Sequence, residues 1–183
     1  MVIITDLLIS RQFFFKNLIL LVAILSLISN YIYFKTSKLQ TYFFSKTELY
    51  NQDIIDQNKF FYPSLAFNSV PFTTYQSQIY SNNQEYDTAI NLLLKSLTLN
   101  KNCLYSRYLL SRNYVLQKDY VNAEIILEQL FNLNPNIEST SALYFTILSE
   151  MNKKDKLLSL KSVLEKIDNK LIWEYYFTSL KKE

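Results

Sequence analysis

The sequence predicts an all-α protein: one N-terminal transmembrane helix, then a short α-solenoid of helix–turn–helix repeats closed by a capping helix. Three observations carry this. The chain has 183 residues with no Gly and only 3 Pro, which disfavours hairpins and tight turns and leaves helix as the natural state. The stretch from Pro71 to Pro135 repeats itself at an interval of about 34 residues, the length of one paired-helix unit. Ahead of it, Phe13 to Phe34 forms an apolar run of about 20 residues, the length one bilayer crossing needs.

The repeat is read by sliding its halves over each other. Tyr80 falls on Tyr114, Tyr86 on Tyr120, Ala89 on Ala123, Leu93 on Leu127, Leu99 on Leu133 and Asn100 on Asn134. Helices are expected at 72–82 and 86–99, then at 104–117 and 120–133, with short polar turns at Ser81–Glu85 and Gln117–Asp119. Pro71 suits a first helical turn, where its missing N–H is not needed, and Pro135 stops the second unit. Without Gly, helix ends fall to Asn, and Asn83, Asn100, Asn134, Asn136 and Asn152 stand at the required places. Two antiparallel helices approach most closely where side chains are small, so Ala89 and Ala123 mark the seams of the two units. Tyr80 and Tyr114 fill the space between hairpins, Tyr86 and Tyr120 cover the turns, and the leucines continue the apolar stripe.

Beyond Pro135 the pattern continues more faintly. Ser139–Met151 carries a helical apolar face, Asn152–Lys156 reads as a solvated turn, and Leu157–Ile167 reads as a second helix. The period places Leu157 where the two alanines stand, which makes 138–171 a degenerate third unit. Leu171 to Lys182, rich in aromatics, is expected to cap it.

In the N-terminal part, residues 1–12 form a lead-in with Asp6 and Arg11, and 13–34 form the anchor. Leu18–Ile28 carries no charge, Phe13–Phe15, Tyr31, Tyr33 and Phe34 supply aromatics at both ends, and Lys16 can snorkel. A buried core helix or a cleaved signal peptide would also present an apolar run here. The length argues against the first, and the poor cleavage site at Ser29-Asn30-Tyr31 argues against the second. Arg11 and Lys16 on one side and Lys35, Lys38 and Lys46 on the other leave the orientation open. Residues 35–69 are a juxtamembrane linker holding Phe60, Phe61, Tyr62 and the helix-breaking Pro63.

Composition also excludes functions. Without Gly there is no P-loop, dinucleotide-binding turn or Gly-x-Ser-x-Gly elbow. The absence of His removes the commonest general base and metal ligand, and a lone Cys103 builds neither a disulfide nor a zinc site. Glu124 and Glu128 are an i, i+4 pair of the kind that faces water. No catalytic residue, cofactor or metal is expected. A net charge of +3 with scattered basic residues gives no nucleic-acid footprint. The 49% hydrophobic content suffices for a packed core.

The tandem resembles the tetratricopeptide-repeat family. Tyr80, Tyr86, Ala89 and Ile90 carry the resemblance in the first unit, and Leu110, Tyr114, Tyr120, Ala123, Leu127 and Pro135 carry it in the second. It departs from the family at Ser77 and Ser111, which replace Gly, at Thr73 and Arg107, which stand at the Trp position, at Leu130, and at Lys101, which replaces Pro. The resemblance implies a concave groove lined by the first helices that takes a protein or peptide partner. Its positions here are Thr74, Gln78 and Asn82, then Tyr105, Tyr108, Arg112 and Leu116, then Ala142, Thr146 and Glu150. Tyr105 and Tyr108 can equally serve packing between helices, and Arg112 a surface salt bridge. The order of elements, with Phe61-Tyr62-Pro63-Ser64 between span and repeats, is also similar to the C-terminal region of bacterial O-antigen ligase or polymerase-type membrane proteins. That similarity implies an accessory or truncated relative of such a protein in envelope polysaccharide assembly, one that does not itself transfer glycan. Separately, the anchor is expected to make the chain a single-pass membrane protein, with the bacterial inner membrane as its location.

Overall fold

The computed structural model describes residues 15–34, Ser37 and 69–181, and among them the secondary structure is helical. The lead-in at 1–12 and most of the linker, including Phe60–Ser64, lie outside the described residues. Helix α1, Phe15–Phe34, has 20 residues and a mean hydropathy of 1.9, long and apolar enough to cross a membrane. Its side chains are almost all exposed.

From Phe72 onward the helices come in pairs: α2 (Phe72–Asn82) with α3 (Tyr86–Leu99), α4 (Leu104–Leu116) with α5 (Tyr120–Leu133), and α6 (Glu138–Glu150) with the short α7 (Lys154–Ser159). A four-residue α8 (Lys161–Leu164) and a final α9 (Lys170–Lys181) complete the described chain. Each helix from α2 to α7 packs on the next in sequence, and α4 also touches α2 and α6. These bounds agree with the sequence reading for the first two units to within a residue.

The backbone repeats as faithfully as the sequence. Gln84, Lys118 and Asn152 all take positive φ, at 65°, 63° and 54°. Beside them, the N–H groups of Glu85, Asp119 and Lys153 donate to the carbonyls of Tyr80, Tyr114 and Leu148 at 2.8, 2.8 and 2.9 Å. Those of Gln84, Lys118 and Asn152 donate to Ser81, Val115 and Ser149. This pair of bonds is the Schellman ending, which satisfies helix carbonyls otherwise left without partners. The left-handed residue is ordinarily Gly, and Asn is its usual substitute. Only Asn152 follows that rule, while Gln84 and Lys118 hold the conformation against the clash of their Cβ atoms.

Asn83, Asn100 and Asn134 end α2, α3 and α5 as expected, though not in the left-handed conformation, and Asn136 lies in the turn that follows α5. Asn100 and Asn134 end α3 and α5 in extended conformation, and their Oδ1 atoms each accept from the N–H two residues on, Asn102 and Asn136, at 3.1 Å. These Asx-turns send the chain into the next first helix without needing Gly. Asn100 Nδ2 also donates to the Ser69 carbonyl at 2.9 Å, and Arg107 clamps the carbonyl of Lys101 through Nε and Nη2.

Packing follows the seam residues. Ala89 and Ala123 are fully buried, as are Leu93 and Leu127 one turn further on. Tyr80, Tyr86, Tyr114 and Tyr120 are half-buried. Leu99 and Leu133 depart from the expected stripe and are exposed, at the last residue of each second helix. Ile90, Leu93, Leu109 and Leu110 form the core between the first two units, and Leu97, Tyr108, Tyr114 and Ile126 flank it. Polar seams supplement this core. Thr73 Oγ1 lies 2.6 Å from Ser96 Oγ, and the buried Thr74 Oγ1 lies 2.7 Å from Ser106 Oγ. Ser77 and Ser111, in place of the expected Gly, are fully buried and donate to the carbonyls of Thr74 and Tyr108, which satisfies their hydroxyls within their own helices.

The third unit is where the sequence reading is corrected. The helix expected over Leu157–Ile167 is split: α7 ends at Ser159 and α8 at Leu164. Leu157 stands where the earlier units have Ala and is buried in the core beside Leu164 and Ile167. Helix α9 takes up the exposed length of α6 and packs along it. Asn169 sets its start by accepting from the N–H groups of Leu171 and Ile172 at 3.0 and 3.4 Å, and its amide donates to Glu138 at 3.0 Å. Aromatic rings then fill the gap. Phe131 meets Tyr144 and Phe145 at centroid distances of 5.5 and 5.8 Å, and Phe145 meets Tyr176 edge-on at 5.7 Å. Ala123, Leu127, Leu148, Leu157, Leu164, Ile167 and Ile172 belong to the same core.

Candidate binding face of the first helices

Helices α2, α4 and α6 carry the positions read as a groove, and the structure separates them. Gln78 and Tyr105 come together: the Gln78 amide donates to the Tyr105 hydroxyl at 2.7 Å, bridging α2 and α4. The Tyr105 ring also lies 6.4 Å from that of Tyr75 in a tilted arrangement. Asn82 and Arg112 are exposed, and Arg112 makes no ion pair among the described residues. Leu116 is exposed one turn beyond Arg112. Tyr108 is half-buried against the core between units one and two, so most of its ring is spent on packing.

Thr74 is not a groove residue. It is fully buried, and its hydroxyl faces Ser106. In the third unit Ala142 is half-buried, Thr146 is exposed but donates to the Ala142 carbonyl at 2.9 Å, and Glu150 is exposed. The face therefore offers an amide–phenol pair at Gln78 and Tyr105, a guanidinium at Arg112, and polar or apolar tips at Asn82, Leu116 and Thr146. Such a set can hydrogen-bond a polypeptide backbone and pair with a carboxylate. It contains no nucleophile–base pair, and among the described residues no group of three His, Cys, Asp or Glu could hold a metal ion.

The strongest electrostatic feature lies on the second helices, and sequence reasoning missed it. Glu124 is only 7% exposed. Its carboxylate pairs with Lys153 and, at 2.9 Å, with Lys156, which also reaches Glu128 at 2.8 Å. Burial pushes the Glu124 carboxyl up, but the hydrogen bonds and charges of Lys153 and Lys156 outweigh it and hold it below the usual carboxylate range. Burial likewise opposes the charge on Lys156, and its bonds to Glu128 and Glu124 raise it above the ordinary lysine value. The Lys156 ammonium stands 5.9 Å from the ring centroid of Tyr144, whose buried hydroxyl is pushed up chiefly by desolvation. The i, i+4 carboxylates expected to face water are thus a joint between α5 and α7, and the Lys153–Lys156 segment is its other half. The available signal was the period itself: Glu124 occupies the place of Ile90, which is buried in unit one.

Compared with known proteins, the chain matches no family model and no curated sequence.

Proposed function

We propose that this protein is a membrane-anchored, tetratricopeptide-like α-solenoid scaffold that binds a protein or peptide partner along its first helices. The observation that supports this most is the recurrence of one backbone device, the left-handed residue at Gln84, Lys118 and Asn152 with its paired hydrogen bonds, at the period of the sequence repeat. Stacked hairpins of this kind present their first helices side by side, which is how repeat proteins build extended binding surfaces. The exposed Arg112, with Tyr105 on its own helix and Gln78 bonded to Tyr105 from the neighbouring one, favours a partner segment that offers a carboxylate. Helix α1 supplies the anchor, and in a bacterial cell the membrane concerned would be the inner one.

The test is site-specific photocrosslinking in the full-length chain. A crosslinker at Leu116 should capture a discrete partner, one at the exposed Ile125 on a second helix should not, and Arg112→Glu should abolish capture while the helical circular dichroism is kept. Equal capture at both positions, or capture that survives Arg112→Glu, would overturn the reading.

A further inference from the structure

Viewed down its axis, helix α1 has two unlike sides. Leu21, Leu25, Ile28 and Ile32 line one of them, a surface of large aliphatic side chains suited to lipid. Opposite them, Ile19, Ala23, Ser26 and Asn30 fall within an arc of about 60°, at the i, i+4, i+7, i+11 spacing of a helix–helix seam. All four are exposed and none of the span is buried, so the described residues of the chain leave this side uncovered. With α1 across a bilayer, Ser26 stands about 2 Å from the helix midpoint and Asn30 about 8 Å, inside a hydrocarbon half-thickness of about 15 Å. Lys16 and Tyr33 are long enough to carry their polar atoms to the headgroups, and Asn17 lies beside Lys16 at the end of the span, but the short Asn30 side chain falls short. A hydroxyl such as that of Ser26 can be satisfied by the carbonyl one turn back, as Thr146 is by Ala142. An amide that bonds in this way, as Asn113 does with the Leu109 carbonyl, still has a second N–H and an oxygen to be paired, and hydrocarbon offers them nothing.

We infer that α1 pairs within the membrane with α1 of a second copy of this chain, through the side that carries Ile19, Ala23, Ser26 and Asn30, and that the two Asn30 amides bond to each other. Copies of one chain share one orientation in the bilayer, so a twofold axis along the membrane normal sets Asn30 opposite Asn30 at equal depth. An amide holds both donor and acceptor and is complementary to itself. A different helix would need its own polar group at that depth, whereas a second copy always brings one. Ala23 lets the two backbones approach, and the Ser26 hydroxyls lie one turn nearer the midplane on the same seam. Lys16 shares this side at the far end, where its stem leads the charge out to the headgroups and away from its copy. The inference rests on the reading of α1 as a membrane anchor. It adds that two repeat domains, each with its own Arg112 face, stand side by side, so that a partner with two matching segments is held by avidity.

The test places single cysteines along α1 in the purified full-length chain, reconstituted into phosphatidylcholine vesicles at high lipid excess. Under copper–phenanthroline oxidation, Ala23→Cys and Ser26→Cys should give a disulfide-linked species of twice the chain mass. Leu21→Cys and Leu25→Cys, on the aliphatic side, should give severalfold less. Cys103 is buried, and the chain without an added cysteine measures its background. In the Ala23→Cys chain, a further Asn30→Leu should lower the linked fraction severalfold. Asn30→Gln, which keeps an amide, and Ser29→Leu, which lies off the seam, should preserve it. Washing the vesicles with carbonate measures the anchor independently. A chain that stays with the vesicles but links equally from both sides, or links as well with Asn30→Leu, refutes the pairing and leaves the anchor standing. A chain that washes out as a soluble species overturns the anchor reading and the pairing with it.

Discussion

Replacing Glu124 by Gln tests whether the joint between α5 and α7 is held by charge. The carboxylate is almost wholly buried and accepts from two ammonium groups, and Lys156 keeps Glu128 as an alternative partner. Removing one partner of a fully buried pair costs about 3–5 kcal/mol. Lys153 and Lys156 are 41% and 32% exposed at their side chains, so water can recover part of their solvation and the expected loss is about 1–3 kcal/mol. The assay is urea unfolding of the detergent-solubilised full chain, followed by helical circular dichroism and by Trp173 emission. The pH dependence supplies the control. Because the carboxyl is held below its ordinary value of 4.5 in the folded state, it contributes stability above that value and loses it as pH falls through the depressed one. Wild type and Glu124→Gln should therefore differ at pH 7 and converge in strong acid. Equal midpoints at pH 7, or a gap that persists in acid, would refute the electrostatic account.

Two further outcomes concern the repeat itself. Ala123→Leu inserts a larger side chain into a fully buried seam between α4 and α5 and should destabilise by about 1–3 kcal/mol, measured by the same unfolding assay. Lys118→Gly, at φ 63° in an exposed turn, should relieve the left-handed strain and stabilise by about 0.5–1 kcal/mol, whereas Lys118→Ala should give no such gain.

Local chemistry made much of this protein legible in one dimension. The absence of Gly, the apolar run of α1, and the recurrence of Tyr and Ala are properties of the chain itself, and they determined the helical class, the helix bounds of the first two units and the seams at Ala89 and Ala123. The tertiary structure decided what depends on neighbours distant in sequence. A hydroxyl such as that of Thr74 reads as a surface group until Ser106 is brought against it. Glu124 reads as a solvated acid until Lys153 and Lys156 arrive about one period later. Leu157 gave no sign that the third unit's second helix would stop short, because helix length there is set by whether α6 can be covered, and α9 covers it instead. Periodicity registers which positions are equivalent, but burial and charge compensation are properties of pairs, and the pairs form only when the hairpins stack.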